Sequence, residues 1–545
     1  MDTKGIGFIG TPKNGAGGWK IPAKSVAYDE EGIKAKLLNL EQPCFLAYLG
    51  ERMGISNEGN WETSGKPEGD SLDALAWVPP LTPNQLGDAQ FRKSHGVQYS
   101  YYAGSMANAI ASEKLLIALG KEGFFGSFGS AGLVPDRVEE AIVRVKKALP
   151  NGPYAFNLIH SPSEPALERG AMELYLAHNI NCVEAAAYMD MTSHIVRYRV
   201  SGLELDSKNK VQAKNKIIAK VSRREVATKF MEPAPARILK QLVEQKLITE
   251  QQANMSKKVP MADDITVEAD SAGHTDNRPM LALLPSITAL RDELQKKYNY
   301  ERSVRIGAGG GIGTPTAALA TFMMGAAYVV TGSINQSCVE SGASEHSKKL
   351  LAEADMADVI MAPAADMFEI GVKLQVLKRG TLFPMRAQKL YDLYTKYDSI
   401  EAIPRGDKEK LEKQLFRNSL ESVWESTKEH FLTRDPSQIE RAANHPKRKM
   451  ALIFRWYLGM SSRWSVTGEP GREMDYQIWC GPSMGAFNAW VSNSCLAESK
   501  SRTIVDVAKN IMKGAAFSYR LQSLKIQGAQ LPPACSEYYP EQMTT

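Results

Sequence analysis

The sequence predicts an α/β protein built around a closed (β/α)8 barrel. Eight short apolar or alternating segments follow one another between residues 96 and 333. Most of them are followed by an amphipathic segment of helical length, which is the pattern of repeated strand–helix units. None of the eight units carries the glycine fingerprint of a dinucleotide-binding fold. Closure of the sheet is therefore favoured over an open doubly wound sheet, the alternative that remains.

Each predicted strand is a short run rich in β-branched, aromatic or small residues. The eight runs are residues 96–104, 123–129, 154–159, 181–187, 215–222, 265–270, 303–309 and 327–333. Helical patterns separate them, as in residues 105–122, 134–149 and 162–179. Pro135 and Pro315 stand where the first turn of a helix tolerates proline, so both mark expected helix starts.

We assign the barrel to residues 89–350. Three parts of the chain do not follow its strand–helix pattern: the two ends and one insertion within the barrel. Residues 1–88 are rich in glycine and proline and predict a small amino-terminal module. Residues 351–545 are predicted to form a carboxy-terminal helical region, because helical patterns such as "KKLLAEADMADVIM" predominate from about this point. Between strands five and six, residues 232–262 have the pattern of a helical hairpin. We expect this insertion on the catalytic side of the barrel, as a lid or as a passive decoration.

The composition limits the class of protein and its compartment. The chain has 545 residues, 43% of them hydrophobic and 23% charged, which fits two or three globular domains. A net charge of +5 on so large a surface does not indicate nucleic acid binding. There is no signal-peptide core and no apolar run of about 18 residues. Six dispersed cysteines lack zinc or disulfide spacing. We expect a cytoplasmic protein without metal, nucleic acid or membrane partners.

A glycine pattern near the start of the chain is a weak signal. Gly5, Gly7 and Gly10 match the dinucleotide fingerprint GxGxxG. That fingerprint works only between a strand and a helix, and the following "GTPKNGAGGWK" cannot begin a helix. We expect a flexible or hairpin-like leader here.

The segments after strands seven and eight indicate a phosphate site. Strand seven ends in a run of glycines, namely Gly307, Gly309, Gly310, Gly311 and Gly313. A helix opens directly after them at Thr314 and Pro315, and strand eight ends in Gly332 and Ser333 before another helical pattern. Glycine lets backbone N–H groups approach an anion, and a helix N-terminus adds a favourable dipole. Barrels often hold a phosphate on these two loops; the alternative is that the glycines only make tight turns.

Other strand ends supply small or polar residues to the same face. Strand one ends in Ala103, Gly104 and Ser105, on which a flat ring could lie. Asn157 in strand three offers an amide to ring carbonyl or N–H groups. Lys220 in strand five is a cation that could stabilise negative charge on a reduced ring. Each has an alternative role as turn, cap or surface charge, but together they indicate a planar phosphorylated cofactor, of which FMN is the simplest.

The end of strand six combines small residues with one histidine. The small residues are Ser271, Ala272 and Gly273. His274 follows them directly, with Asp270 and Asp276 nearby in the sequence. The small residues let a planar group lie close to the backbone, and an imidazole with a pKa near neutrality can donate a proton or a hydrogen bond. The alternative is a loop histidine paired with Asp270 or Asp276.

These segments resemble the nitronate monooxygenase and flavin-dependent enoyl reductase superfamily of FMN barrels. "SAGH" at residues 271–274 matches the small-small-Gly-His element of strand six, with Ala272 where the superfamily usually has glycine. Its Ala-Gly-Gly-Ile element is matched by Ala308 or Gly309 followed by Gly310-Gly311-Ile312. The elements around strand eight are matched by Gly325-Ala326 and Gly332-Ser333. The insertion and "DYQIWCGPSMGAFNAW" at residues 475–490 narrow the resemblance to PfaD-type trans-acting enoyl reductases of polyunsaturated fatty acid and polyketide synthases, over nearly the whole chain.

This resemblance implies bound FMN, NADPH as the hydride donor and a 2-enoyl thioester on an acyl carrier protein as the substrate. We also expect a homodimer. In that reaction His274 would supply a proton or a hydrogen bond to the developing enolate. His160, after strand three, could also border the site.

Two other functions remain open at this point. Oxidation of nitroalkanes or nitronates uses the same barrel and histidine, and the strand ends alone do not separate it from enoyl reduction. The protein could also be a catalytically silent scaffold of a synthase. A guanosine- or inosine-type dehydrogenase barrel is set aside because it needs a nucleophilic cysteine in the loop after strand six, and Cys338 falls only after strand eight. The basic stretch "HPKRKMALIFRWY" could dock an acidic carrier protein, but such a stretch is more often a solvated helix end.

Overall fold

The structure is a computed structural model that describes residues 18–63, 70–161 and 165–543. Gly5, Gly7 and Gly10 of the glycine pattern lie outside the described residues. No helix in the described ranges is both long and apolar enough to span a membrane.

The amino-terminal part forms two small antiparallel sheets with one helix, followed by a helix that leads into the barrel. Its elements are β1 (Gly18–Pro22), α1 (Glu30–Leu38), β2 (Cys44–Leu49), β3 (Arg52–Ser56), β4 (Asn60–Glu62), β5 (Ser71–Asp73), β6 (Ala76–Val78) and α2 (Ala89–His95). One sheet has the order β4-β1-β5 and the other β3-β2-β6. Ile21 of the first sheet and Phe45 of the second pack together in a small core of their own, which holds the two sheets against each other.

Eight parallel strands close into a barrel, which confirms the predicted fold class. The strands of this part are β7 (Tyr101–Ala103), β8 (Phe125–Phe128), β9 (Ala155–Ile159), β10 (Cys182–Ala186), β11 (Leu203–Leu205), β12 (Val211–Ala213), β13 (Lys216–Val221), β14 (Asp264–Glu268), β15 (Gly273–His274), β16 (Arg305–Gly309) and β17 (Val329–Thr331). The barrel order is β7-β8-β9-β10-β13-β14-β16-β17, and Val329 pairs with Tyr101 to close it. Seven of these strands lie within the predicted runs, and β14 starts one residue early.

Helices surround the barrel in the alternation that the sequence predicts. They are α3 (Glu113–Lys121), α4 (Pro135–Ala148), α5 (Pro165–Ala177), α6 (Ser193–Ser201), α7 (Arg224–Met231), α8 (Ala236–Glu244), α9 (Glu250–Ser256), α10 (Met280–Tyr298), α11 (Pro315–Met323), α12 (Ser333–Gln336) and α13 (Glu345–Ala352). Pro135 and Pro315 each occupy the first helical position, where the missing N–H costs nothing. In α4 the buried residues recur at helical spacing, so one face of the helix covers the strands.

The lower half of the barrel is plugged by a buried charge cluster and aromatic rings. Asp264 accepts hydrogen bonds from Arg305 Nε at 2.6 Å and Arg305 Nη2 at 2.7 Å. His95 Nε2 lies 2.8 Å from the same carboxylate. Tyr102 and Tyr328 belong to the apolar cluster inside the barrel above it. The opposite, carboxyl-terminal end of the strands is therefore the end left for a ligand.

The helical insertion exists but lies at the other end of the barrel from the one expected. Helices α8 and α9 follow α7, which carries the chain from the carboxyl end of β13 back to the amino-terminal ends of the strands. Both helices contact α6, and Gln252 Nε2 donates to the carbonyl of Ser201 at the end of α6. The expected catalytic-side position was wrong because α7 was not recognised between strand five and the insertion. This position favours the alternative of a passive decoration over a lid.

The carboxy-terminal region is mostly helical, as predicted, but it also contains two strands. Its elements are β18 (Val359–Pro363), β19 (Lys373–Leu377), α14 (Phe383–Lys396), α15 (Arg405–Lys410), α16 (Leu420–Arg434), α17 (Ser437–Ala443), α18 (Pro446–Thr467), α19 (Ser483–Val491) and α20 (Ile504–Ile526). The pattern at residues 348–361 was expected to be helical throughout, but its end forms β18. Strand β19 pairs with β18 on one side and β15 on the other, so this region returns to the barrel beside His274.

Candidate active site

The predicted site residues meet at the carboxyl-terminal face of the barrel. Those of strands one, three and five are Ala103, Gly104, Ser105, Asn157 and Lys220. Those of strands six, seven and eight are Ser271, Ala272, Gly273, His274, Gly309, Gly310, Gly311, Gly332 and Ser333. All of them lie in the upper half of a strand or in the loop directly after it. The carboxyl ends of parallel strands share one edge of the sheet, which is why distant sequence segments converge here.

The glycines after strands seven and eight leave space open beside the backbone. A Cβ atom on Gly311 or Gly332 would have no described atom within 4 Å. Gly310 is different, because its φ of +97° is left-handed and a Cβ there would approach Ala269 C at 2.7 Å. Gly310 therefore lets the loop turn against strand six, whereas Gly311 and Gly332 border empty space.

The carboxy-terminal region forms one wall of this space. The N–H of Gly481 donates to Ser333 Oγ at 3.0 Å. A Cβ on Gly313 would lie 2.3 Å from the carbonyl oxygen of Ser483, so α19 begins in direct contact with the strand-seven loop. Residues 475–490 were noted in the sequence only through a family resemblance, and their place in the site was not predicted.

Lys220 lies inside the barrel mouth between two carboxylates. Its Nζ is 3.1 Å from Glu268 Oε1 and 3.7 Å from Glu184 Oε1. The Glu184 side chain is fully buried and also accepts hydrogen bonds from Tyr102 Oη and from the N–H and hydroxyl of Ser105. Burial alone would favour the neutral amine, but Glu268 and Glu184 outweigh it and raise the pKa of Lys220. Lys220 is therefore a cation, as its predicted role requires.

Asn157 stands next to this cluster on the neighbouring strand. It is buried, and its Nδ2 donates to the backbone carbonyl of Glu184 at 3.2 Å. Neither glutamate was singled out from the sequence. The available signal was an acid near the end of an apolar run, Glu184 in "NCVEAAA" and Glu268 in "ITVEAD". An acid that faces into a barrel needs a partner or a ligand.

The small residues before His274 are held in place by the carboxy-terminal region. Gln375 Nε2 donates to the carbonyl of Ser271 at 2.8 Å and to Asp270 Oδ1 at 2.9 Å. Gly273 pairs with Gln375 across β15 and β19, and its φ is +74°. A Cβ on Gly273 would meet no described atom within 4 Å, so the backbone at Gly273 is open on the side where its Cβ would point.

His274 has a different partner from the two acids beside it in the sequence. Its Nε2 lies 3.0 Å from Oδ1 of Asp366, which belongs to the loop between β18 and β19. Asp276 instead pairs with Arg223, which lowers the pKa of the Asp276 carboxyl to about 2. Asp270 binds Asn277 and Gln375. The alternative role of His274 as a loop residue held by Asp270 or Asp276 is therefore wrong.

Asp366 makes His274 more basic than an ordinary histidine. Partial withdrawal from solvent opposes the charged imidazole, but the hydrogen bond and charge of Asp366, together with the charge of Glu268, raise the pKa of His274. His160 is held in the same way after strand three, with Nδ1 2.8 Å from Glu168 Oε2. Two carboxylate-bound histidines thus stand after strands three and six of the barrel.

The residues present fit a flat ring with a phosphate tail. The phosphate end would meet the glycine surface after strands seven and eight, where a side chain would fill the space that Gly311 and Gly332 leave open. The cation of Lys220 lies inside the mouth between strands four and six. This combination suits an anionic group at one end and a ring able to carry negative charge at the other.

Three sequence-family models match the chain. The model of nitronate monooxygenase matches residues 89–392. The model of the PfaD amino-terminal domain of fatty acid synthase matches residues 19–80. The model of the inserted helical domain of [acyl-carrier-protein] S-malonyltransferase matches residues 397–476. Together they span most of the described residues.

The chain is also similar to parts of biosynthetic proteins. It is 45% identical to one of the polyunsaturated fatty acid synthase subunits of Thraustochytrium sp., over 92% of this chain and 33% of that protein. It is 42% identical to the polyketide biosynthesis protein PksE of Bacillus subtilis, over 82% of this chain and 58% of that protein. The chain therefore spans only a third to somewhat over half the length of these relatives.

The chain is also similar to a solved structure, and the match covers nearly the whole length of that structure. It is the enoyl reductase domain of MlnA from the macrolactin biosynthesis cluster of Bacillus amyloliquefaciens, with a TM-score of 0.77 and 38% identity. The match covers 81% of this chain and 99% of that domain.

Proposed function

This chain belongs to the nitronate monooxygenase family, in the group that carries a PfaD amino-terminal domain, and we propose that it is an FMN-dependent enoyl reductase. Its proposed substrate is a 2-enoyl thioester on an acyl carrier protein, and its proposed donor is NADPH. The observation that carries this proposal is the 38% identity to an enoyl reductase domain, 99% of which the match covers. The site geometry supports the proposal, because open space for a phosphate, the cation of Lys220 and the imidazole of His274 lie on one face of the barrel.

The bound flavin would supply a hydride to the β-carbon of the enoyl thioester. The chain's own residues would bind the cofactor and stabilise the charge that develops in this reaction. Gly311 and Gly332 leave backbone room for the phosphate, and Lys220, held by its two carboxylates, keeps a positive charge in the mouth. His274 supplies a proton to the α-carbon or a hydrogen bond to the thioester oxygen, where negative charge develops.

The proposed partners follow from the relatives. Two of them are named as a polyunsaturated fatty acid synthase subunit and a polyketide biosynthesis protein, so we propose that the substrate arrives on a carrier domain of such a synthase. We also propose a homodimer in the cytoplasm. The basic stretch at residues 445–457 contributes little to carrier docking, because Lys447 binds the carbonyls of Tyr394 and Tyr397 and Arg455 pairs with Glu369.

The proposed function is tested by following the flavin spectrum through its two half-reactions. The purified protein should be yellow and should lose its absorbance near 450 nm when NADPH is added without oxygen. A crotonyl thioester should then restore the colour. His274→Ala should keep FMN and the rate of NADPH reduction, whereas reoxidation by the thioester should slow by about 10²–10⁴-fold.

The same experiment separates the two alternatives. A protein whose flavin is reduced only by nitronates and is not reoxidised by enoyl thioesters would be a nitronate monooxygenase. This alternative is retained because the nitronate monooxygenase family model matches the chain. A protein that binds no flavin would be a scaffold. Equal losses in both half-reactions of His274→Ala, or no loss in either, would remove His274 from the mechanism.

A further inference from the structure

Asp366 lies beside His274 only because the carboxy-terminal region folds back onto the barrel. The two residues are 92 positions apart. Strand β19 pairs with β15, with Leu374 opposite His274, and the loop from residue 364 to 372 that precedes β19 carries Asp366 to the imidazole. The barrel strands alone therefore do not supply the carboxylate that holds this histidine.

The contact engages only one nitrogen of the imidazole. Nε2 is 3.0 Å from Asp366 Oδ1, and Nδ1 has no hydrogen-bond partner among the described residues. A neutral imidazole with its proton on Nε2 has a bare lone pair on Nδ1, so it accepts at that nitrogen and cannot donate. Donation from Nδ1 requires the imidazolium form, in which both nitrogens carry protons.

We propose that Asp366 is a positioning residue that holds His274 as an imidazolium, with the Nδ1 proton free for the substrate. This rests on the proposed function. When Nδ1 passes its proton to the α-carbon of the substrate, the N–H bond breaks and a C–H bond forms. The imidazole that remains is neutral and keeps its Nε2 proton in the bond to Asp366. The carboxylate stays ionised throughout and sets the tautomer on both sides of the step.

The surroundings of the pair favour this role over a purely structural one. The His274 side chain is 38% exposed and that of Asp366 is 46% exposed. A pair so open to solvent contributes little to the stability of the fold. The other charged groups that act on His274 are Glu268 from β14, which favours the imidazolium, and Lys220 from β13, which opposes it. Asp366 is the carboxylate in contact with the ring.

The charge state follows from the same contacts. Asp366 and Glu268 raise the pKa of His274, and His274 in turn helps to lower the pKa of Asp366. The imidazolium is populated below the raised pKa and is lost as the pH rises through it. The rate of the proton-dependent half-reaction should therefore fall on the alkaline side of that pKa.

The test measures the titration of His274 directly in the full-length protein with its flavin. The chain has eight histidines, so NMR of ¹⁵N-histidine-labelled protein gives few signals, and the His274 signal is assigned by its absence in His274→Gln. In the parent, His274 should titrate above the value of about 6.5 typical of an unperturbed histidine. Asp366→Asn should move that titration to lower pH, and Asp366→Glu should restore it.

A matched control removes a charge from the same loop. Glu369 pairs with Arg455 at 3.2 Å and makes no described contact with His274, so Glu369→Gln should leave the titration in place. Stopped-flow measurement should show that Asp366→Asn slows reoxidation by a crotonyl thioester about tenfold or more at pH 8, which is less than the about 10²–10⁴-fold loss expected when the proton donor itself is removed. Reduction by NADPH should be unchanged, and the alkaline limb of the reoxidation profile should move to lower pH.

An unshifted titration and an unshifted pH profile in Asp366→Asn would overturn the proposal. If that variant loses flavin or fails to fold, the parent decides the matter, because a His274 that titrates at or below the ordinary histidine value cannot be held as an imidazolium by Asp366. Absence of any enoyl reduction by the parent would instead defeat the proposed function, while the NMR titration would still judge the pair.

Discussion

Replacing Gly332 with glutamate should abolish FMN retention while leaving the protein folded. Its φ of −139° lies outside the left-handed region, and a Cβ there would meet no described atom within 4 Å. The new side chain therefore has room in the empty protein. Its carboxylate, however, would extend into the space that we assign to the phosphate.

The expected loss of affinity follows from the charges. Two unit charges about 4 Å apart repel by about 4 kcal/mol in surroundings of effective dielectric constant about 20. A repulsion of that size weakens binding about 10³-fold, since about 1.4 kcal/mol corresponds to a factor of ten. Blocked volume adds to this loss. Gly311→Glu should behave similarly but should also lose some stability, because the φ of Gly311 is +74°.

The assay combines flavin content, FMN titration and thermal unfolding. The ratio of flavin to protein after purification reports retention, and quenching of FMN fluorescence by the flavin-free protein gives the dissociation constant. Gly459→Glu is the matched control, because Gly459 is exposed on α18 and a Cβ there would also meet no described atom within 4 Å. Undiminished FMN content in both Gly332→Glu and Gly311→Glu would refute the phosphate assignment.

Two further predictions concern the other end of the barrel. Deleting α8 and α9 should lower the melting temperature, because Ile238 and Leu242 are buried, but stopped-flow should show unchanged oxidation of reduced flavin by oxygen. A faster oxidation would mean that the insertion shields the site. Asp264→Asn should cost about 3–5 kcal/mol of unfolding free energy at pH 7 by leaving buried Arg305 unpaired. Burial opposes ionisation, but Arg305 and His95 lower the Asp264 pKa to about 2, so in urea titrations this difference should shrink as the pH falls below about 4.

The order of the barrel strands could be predicted from the sequence because it depends on local patterns. A short apolar run, an amphipathic helix and a small or polar residue at the strand end all appear within about 30 residues of chain. The carboxyl ends of parallel strands then share one edge by geometry alone. For that reason Lys220, His274 and the glycines near residues 310 and 332 could be assigned to one face before any coordinates.

The side of the barrel on which the insertion lies depends on one helix, α7, that was not predicted from the sequence. Residues 224–231 form α7, and this one helix puts residues 232–262 at the amino-terminal ends of the strands. Its buried positions, Val226, Ala227 and Phe230, follow helical spacing. The signal was present in the sequence, but it was too short to stand out from the strand before it.

The sequence by itself determined the barrel, the glycine surface and the position of His274, because each depends on backbone preferences and periodicity over a few residues. Only the tertiary structure decided what those groups contact. Asp366 reaches His274 across 92 residues, and Gly481 reaches Ser333 across 148. Such pairs arise when the carboxy-terminal region packs onto the barrel, and a side chain carries no local mark of a partner that lies so far along the chain.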